Sequence, residues 1–172
     1  AAVFRTVPNH ACVVVQTGIY WGTLKWVRDF CARRAVKLHE VDATDTLAFK
    51  TICEHHKPAL ILIETPSNPW LKTTDIKVVS SIAKSVGALL VVDGTAATPI
   101  LTQALDLGAD IAMQSATKAI NGHSDVLAGV LSTKNRTDER RVGQECRSRW
   151  SPDHEKKKGN ARPDSDKCRS AP

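Results

Sequence analysis

Two uninterrupted apolar runs, PALILIET at 58–65 and ALLVVDG at 88–94, constrain this chain more than any other feature. Each is bounded by turn-forming residues and is too short for a typical helix. Runs of that kind read as strands covered on both faces, the environment of a parallel sheet. A parallel neighbour needs a crossover, usually a helix. The chain supplies crossovers by alternating the two periodicities. ACVVVQT (11–17) and the alternating VKLHEVD (36–42) read as strands. GTLKWVRDFCARR (22–34) has its apolar residues at helical spacing. TDTLAFKTICEHH (44–56) follows with Thr44 as the expected N-cap. TTDIKVVSSIAKSVG (73–87) is amphipathic and is expected to stop at Gly87. TPILTQALDLG (98–108) is expected to form a short helix, and ADIAMQSA (109–116) and DVLAGVLSTK (125–134) the last strands. The expected class is α/β: a mainly parallel sheet flanked by helices.

Charge divides the chain. Residues 1–135 carry 13 Lys/Arg against 11 Asp/Glu, whereas 136–172 carry 11 against 7, so most of the net +6 lies in the last 37 residues. That segment is nearly devoid of apolar side chains and cannot bury enough surface to offset its ordering entropy. A boundary is therefore expected near Asn135, with a partial domain over 1–135 and a basic, disordered tail over 136–172. No apolar run approaches a membrane span, and no secretion signal is legible. The five cysteines have no paired spacing, and a reducing cytoplasm fits them. Cys146, His154 and Cys168 match no common zinc spacing, so no metal is expected.

In parallel α/β sheets, ligands bind beyond the carboxyl ends of the strands. Three polar clusters fall there: ETPSNP, DGT and SATK. Asp93, ending ALLVVD, reads either as a turn carboxylate or as an acid in a dry cleft. In the cleft it would stay ionised only beside a cation, and a protonated pyridine nitrogen is one. Lys118, in QSATKAINGHSD (114–125), reads either as a solvated lysine or as an amine held for a Schiff base with an aldehyde. Ser115 and Thr117 read as turn hydroxyls or as phosphate ligands. A lysine for an aldehyde, an acid for a pyridine nitrogen and hydroxyls for a phosphate together describe a pyridoxal 5'-phosphate (PLP) site.

DIAMQSATKAINGHSDVLAGV (110–130) resembles the lysine signature of the Cys/Met-metabolism, or trans-sulfuration, family of PLP-dependent enzymes. The similarity extends through VVDGTAATPILTQALDLGAD (91–110), IETPSNPWLKTTDI (63–76) and YWGT (20–23), and covers roughly residues 10–135. In wording it lies nearest to cystathionine γ-synthase, beside the γ-lyases, β-lyases and sulfhydrylases of the family. The resemblance implies the large domain of a fold type I, aminotransferase-like PLP enzyme, truncated at both ends. It implies a lyase or transferase of methionine biosynthesis that acts on an O-acylhomoserine or related sulfur amino acid by γ-replacement or γ-elimination, and works as a homo-oligomer.

Position by position, it makes Lys118 the catalytic lysine that carries the cofactor and shuttles protons, and Asp93 the partner of the pyridinium nitrogen. Thr95 becomes the hydroxyl beside the ring, and Ser115 and Thr117 the phosphate contacts. Tyr20 becomes the ring-stacking tyrosine that also acts as a base, and Asn68 the asparagine near the cofactor's phenolic oxygen. Glu64 is a weaker candidate in the Asn68 loop, and His123 is expected to order its own loop. Two positions depart from the family pattern: Gly94 stands where asparagine is usual, and Ala119 where an aromatic residue is usual. The segment 136–158 resembles the conceptual translation of a sequencing adapter rather than a continuation of the family. On that reading the chain is a gene fragment that can lack activity. The competing reading, a tail that binds nucleic acid through phosphate charge, rests on one tryptophan and a lysine run.

Overall fold

The structure, a computed structural model, describes residues 1–134; the boundary at Asn135, the tail and its cysteines lie outside the described residues. Six strands form one sheet: β1 (Cys12–Gln16), β2 (Lys37–Val41), β3 (Leu60–Glu64), β4 (Leu89–Asp93), β5 (Ile111–Ser115) and β6 (Gly129–Thr133). Their order is β2-β1-β3-β4-β5-β6. The first five are parallel, and β6 runs antiparallel to β5. The crossovers include α1 (Trp21–Arg33), α2 (Thr46–His56), α3 (Ile76–Val86) and the single turn α4 (Thr98–Leu101).

The apolar runs occupy the centre. Every residue of β3 is buried, and β4 is buried from its second residue onward. The edge strand β2 keeps the half-exposed alternation read from VKLHEVD. Successive side chains face opposite ways. Ile61, Ile63, Leu90 and Val92 therefore meet Phe49 and Cys53 of α2 and Val79 and Ile82 of α3 on one face. Leu60, Leu62 and Val91 meet Val27 and Cys31 of α1, with Phe4, on the other. Full burial of each such side chain stabilises by roughly 1.5–3 kcal/mol, so the sheet ends are held by a core on both faces. Cys31 and Cys53 are buried and free; burial pushes the Cys53 thiol up to about 12, which suppresses thiolate chemistry there.

The element ends differ from expectation in three places. Thr44 does not cap α2. Its N–H and hydroxyl bond Asp42 Oδ1 at 2.9 and 2.7 Å, and Asp45 caps the helix by accepting the Ala48 N–H at 3.0 Å. The helix expected over 98–108 stops at Leu101. It buries none of its residues, and Thr102 is extended, so no packing holds the chain helical. The last strand begins at Gly129 rather than 125, because residues 116–128 form the turn after β5. Gly87 does end α3, at φ 71°, and Asp75 caps its start.

Candidate active site

β3, β4 and β5 end at one edge of the sheet, and their last residues are Glu64, Asp93 and Ser115. Glu64 and Asp93 are register partners. Both are buried, at 5% and 8% exposure. Two adjacent buried carboxyls raise each other's ionisation cost, and burial raises it further. Burial pushes Glu64 up to about 7, with the Asp93 charge adding to the shift against the pull of two backbone N–H donors. Asp93 is also raised by burial, opposed only by its hydrogen bonds from Thr95. No described cation contributes to holding Asp93 ionised.

Thr95 ties this acid to the next strand. Its N–H and hydroxyl donate to Asp93 Oδ1 at 3.0 and 2.5 Å, and its oxygen accepts the Ser115 N–H at 2.9 Å. One hydroxyl therefore joins three of the expected site residues. Gly94, between Asp93 and Thr95, donates to the Met113 carbonyl at 3.1 Å. A Cβ on Gly94 would lie 2.9 Å from Gln114 Nε2, so the Gln114 amide fills the space beside this glycine.

Lys118 follows one turn beyond Ser115. It is exposed, and its N–H donates to the Ser115 carbonyl at 3.1 Å. The Thr117 hydroxyl is engaged within the loop, donating to the Ala128 carbonyl at 3.2 Å and accepting the Ala128 N–H at 3.0 Å. Further along the turn, Asn121 Nδ2 donates to the His123 carbonyl and to Asp125 Oδ1, both at 2.8 Å. These bonds close the base and the tip of the lysine loop.

Tyr20 stands at the N-cap of α1, 43% exposed, with its ring tilted against Trp21 at 5.7 Å. Asn68 is exposed in the loop after β3, whose Thr65–Pro66 and Asn68–Pro69 bonds are cis. Both backbones reach Glu64: the Tyr20 N–H donates to Oε2 at 2.6 Å and the Asn68 N–H to Oε1 at 3.2 Å. Two clusters thus form, Asp93–Thr95–Ser115 and Tyr20–Glu64–Asn68, joined where Glu64 and Asp93 pair in register. Sequence reasoning missed Gln16, which is fully buried and accepts the Glu64 N–H at 3.1 Å. The one available signal was a polar residue at the end of the apolar run CVVVQ.

A carboxyl that is buried, raised and without a cation among the described residues, with hydroxyl-bearing loops on the same edge, suits a group carrying a protonated ring nitrogen and a phosphate. A family model described as Cys/Met metabolism PLP-dependent enzyme matches residues 1–150. The chain belongs to that family. The matched span reaches past the compositional boundary near Asn135.

Among relatives, the probable cystathionine gamma-synthase 2 of Arabidopsis thaliana is 37% identical over 126 residues, covering 73% of this chain and 31% of that protein. A cystathionine beta-lyase of Lactococcus lactis subsp. cremoris is 42% identical over 123 residues, covering 72% and 32%. A solved structure of cystathionine gamma synthase from Xanthomonas oryzae pv. oryzae, in complex with aminoacrylate and cysteine, superposes with a TM-score of 0.76 at 34% identity. It covers 83% of this chain and 36% of that one. The chain thus spans about a third of the length of the relatives it matches. The mostly parallel sheet and its flanking helices are the fold shared with these enzymes. Among the described residues no helix is long and apolar enough to cross a membrane, and no cluster of His, Cys, Asp and Glu could hold a metal.

Proposed function

We propose that the protein to which this chain belongs is a PLP-dependent trans-sulfuration enzyme that performs γ-replacement or γ-elimination on an O-acylhomoserine or a related sulfur amino acid. The observation that carries this reading is the Ser115–Thr95–Asp93 chain, which ends in a buried acid with no cationic partner among the described residues. When bound, PLP supplies an electron sink for negative charge at the substrate α-carbon.

The chain's own residues do the rest. Asp93 carries the negative charge that keeps a ring nitrogen protonated, and Thr95 fixes the orientation of that carboxylate. Ser115, Thr117, Asn68 and Tyr20 contribute to holding the cofactor at the same sheet edge. Lys118 would hold the cofactor and would move protons between substrate carbons, and its place on an exposed turn leaves its amine accessible. Tyr20, exposed at the head of α1, is the second candidate for proton transfer, toward the incoming amine. Relatives named as synthase and as β-lyase match about equally, so the choice between replacement and elimination is left within the family.

The test is titration of the full chain with PLP, borohydride fixation and mass mapping. The expected result is one adduct, at Lys118, that is lost in Lys118→Ala. Labelling scattered over many lysines, or none, overturns the reading.

A further inference from the structure

We infer that Glu64 is a positioning residue: its carboxylate clamps the Tyr20 turn and the Asn68 loop to the end of β3, beside Asp93. The inference rests on the proposed function only for what is being positioned. The clamp itself is geometric.

Each Glu64 oxygen has one backbone donor, Tyr20 on Oε2 and Asn68 on Oε1. The Tyr20 bond spans 44 residues of sequence and is short, at 2.6 Å. It also sets a carboxylate at the N-terminus of the 13-residue α1, where the helix dipole favours negative charge. The backbone of Glu64 is fixed in turn by Gln16 of β1. Gln16 Nε2 is buried without a partner among the described residues. A cost of that kind implies that the acceptor end of the side chain matters.

The loop held by Oε1 is closed on itself. Ser67 and Lys72 exchange bonds at 2.9 and 3.2 Å, and Thr74 donates to Thr65 Oγ1 at 3.0 Å. Trp70 of this loop lies over Gly18 of the β1–α1 turn, 3.2 Å from where a Cβ would stand. Two compact loops therefore lean together, and one carboxylate sets both against the strand end. Only a side chain with two acceptor oxygens can do this. Glutamine offers one, and its amide would face an N–H.

The clamp is sensitive to pH, because burial and Asp93 bring Glu64 up to about 7. The titratable group facing it is Asp93 on β4, and from the head of α1 it meets the Tyr20 backbone N–H. From β1 and from the loop it meets uncharged Gln16 and the Asn68 backbone. The loop's lysine, Lys72, is paired with Asp42 at 2.7 Å.

The experiment follows the Tyr20 and Asn68 amide signals of the full chain by heteronuclear NMR, from about pH 5 to about pH 9. Both amides should move downfield with one shared midpoint, and that transition should vanish in Glu64→Gln. In parallel, PLP affinity is measured for wild type and Glu64→Gln. The ratio of the two should be about tenfold at the basic end and shrink toward one as Glu64 protonates; comparison at each pH cancels the cofactor's own titration. Amides that titrate separately, or not at all, overturn the inference even where the variant fails to fold. A ratio constant with pH overturns it while leaving the Lys118 adduct and the proposed function standing. Shared amide titration in a chain that takes up no PLP sustains the clamp and sinks the proposed function.

Discussion

At the scale of single residues, the site holds an acid that folding would do better without. Asp93 is buried, and its ionisation is opposed by desolvation, so its folded pKa lies above its unfolded value. Such a group costs stability wherever it is ionised, and the cost grows as pH rises through its titration. Asn in its place would keep an oxygen for the two Thr95 donors and remove the charge. Asp93→Asn is therefore expected to leave the thermal midpoint of the cofactor-free chain unchanged or raised, by calorimetry, while PLP affinity falls about tenfold or more by absorbance titration. A variant that loses stability and keeps its affinity would make Asp93 a turn residue. Thr95→Val is expected to do the opposite to stability. It orphans the Ser115 N–H and withdraws a donor from Asp93, at a cost of roughly 1–3 kcal/mol in denaturant unfolding.

At the scale of elements, the segment after α4 depends on one glycine. Gly108 has φ +102°, and a Cβ there would collide with Ser80 Oγ, which itself donates to the Gly108 carbonyl at 2.8 Å. The contact docks the turn 104–108 onto α3 just before β5 begins. Gly108→Ala combines a disfavoured backbone with a broken contact and is expected to cost about 2–3 kcal/mol in denaturant unfolding. Gly87→Ala, with φ +71° and open space around it, is expected to cost nearer 1 kcal/mol. The same elements show what was legible in the sequence. LILIE and LLVVD were readable as buried strands because solvent exclusion on both faces leaves no polar positions. The end of α3 was readable because Gly87 is a local signal. TPILTQALDLG kept only one helical turn, because residues 98–101 bury nothing while Ala104 and Leu107 pack from a non-helical turn. Asp45 displaced Thr44 as a cap because Asp42 took the Thr44 hydroxyl, a competition that spacing does not reveal. In the site, Asp93 and Lys118 stood out as strand-end chemistry. Thr95, Tyr20 and Asn68 entered only by resemblance. The roles of Gln16 and Glu64 were hidden because their partners are backbone groups brought close by the sheet order.

At the scale of the whole molecule, three titrations shape how stability varies with pH, and they do not point the same way. Asp42 is held at about 2 by Lys72 and Thr44, so its contribution is present above 3.8 and lost as pH falls toward 2. The pair is largely exposed and worth little. His56, lowered by burial and by His39, His55 and Lys37, lends stability that is lost as pH falls through 6.5. Glu64 acts in reverse. Its folded value of about 7 exceeds its ordinary value of 4.5, so the folded state holds the extra proton between them, and stability falls as pH rises across that window. Below pH 6.5, His56 and Glu64 therefore act in opposite senses, and a pH profile of the wild type alone reads neither. The difference between wild type and Glu64→Gln isolates one of them. At the acid end, glutamine mimics the protonated acid, which like it offers one acceptor oxygen and one donor to the two N–H groups. From about pH 5 to about pH 8 the variant should gain on the wild type by up to about 3 kcal/mol, the free energy equivalent of the shift. Denaturant unfolding at the two ends measures that gain. A constant difference would mean that the Glu64 carboxyl ionises as freely in the folded chain as in the unfolded one, and that the sheet edge beside Asp93 is wet rather than dry.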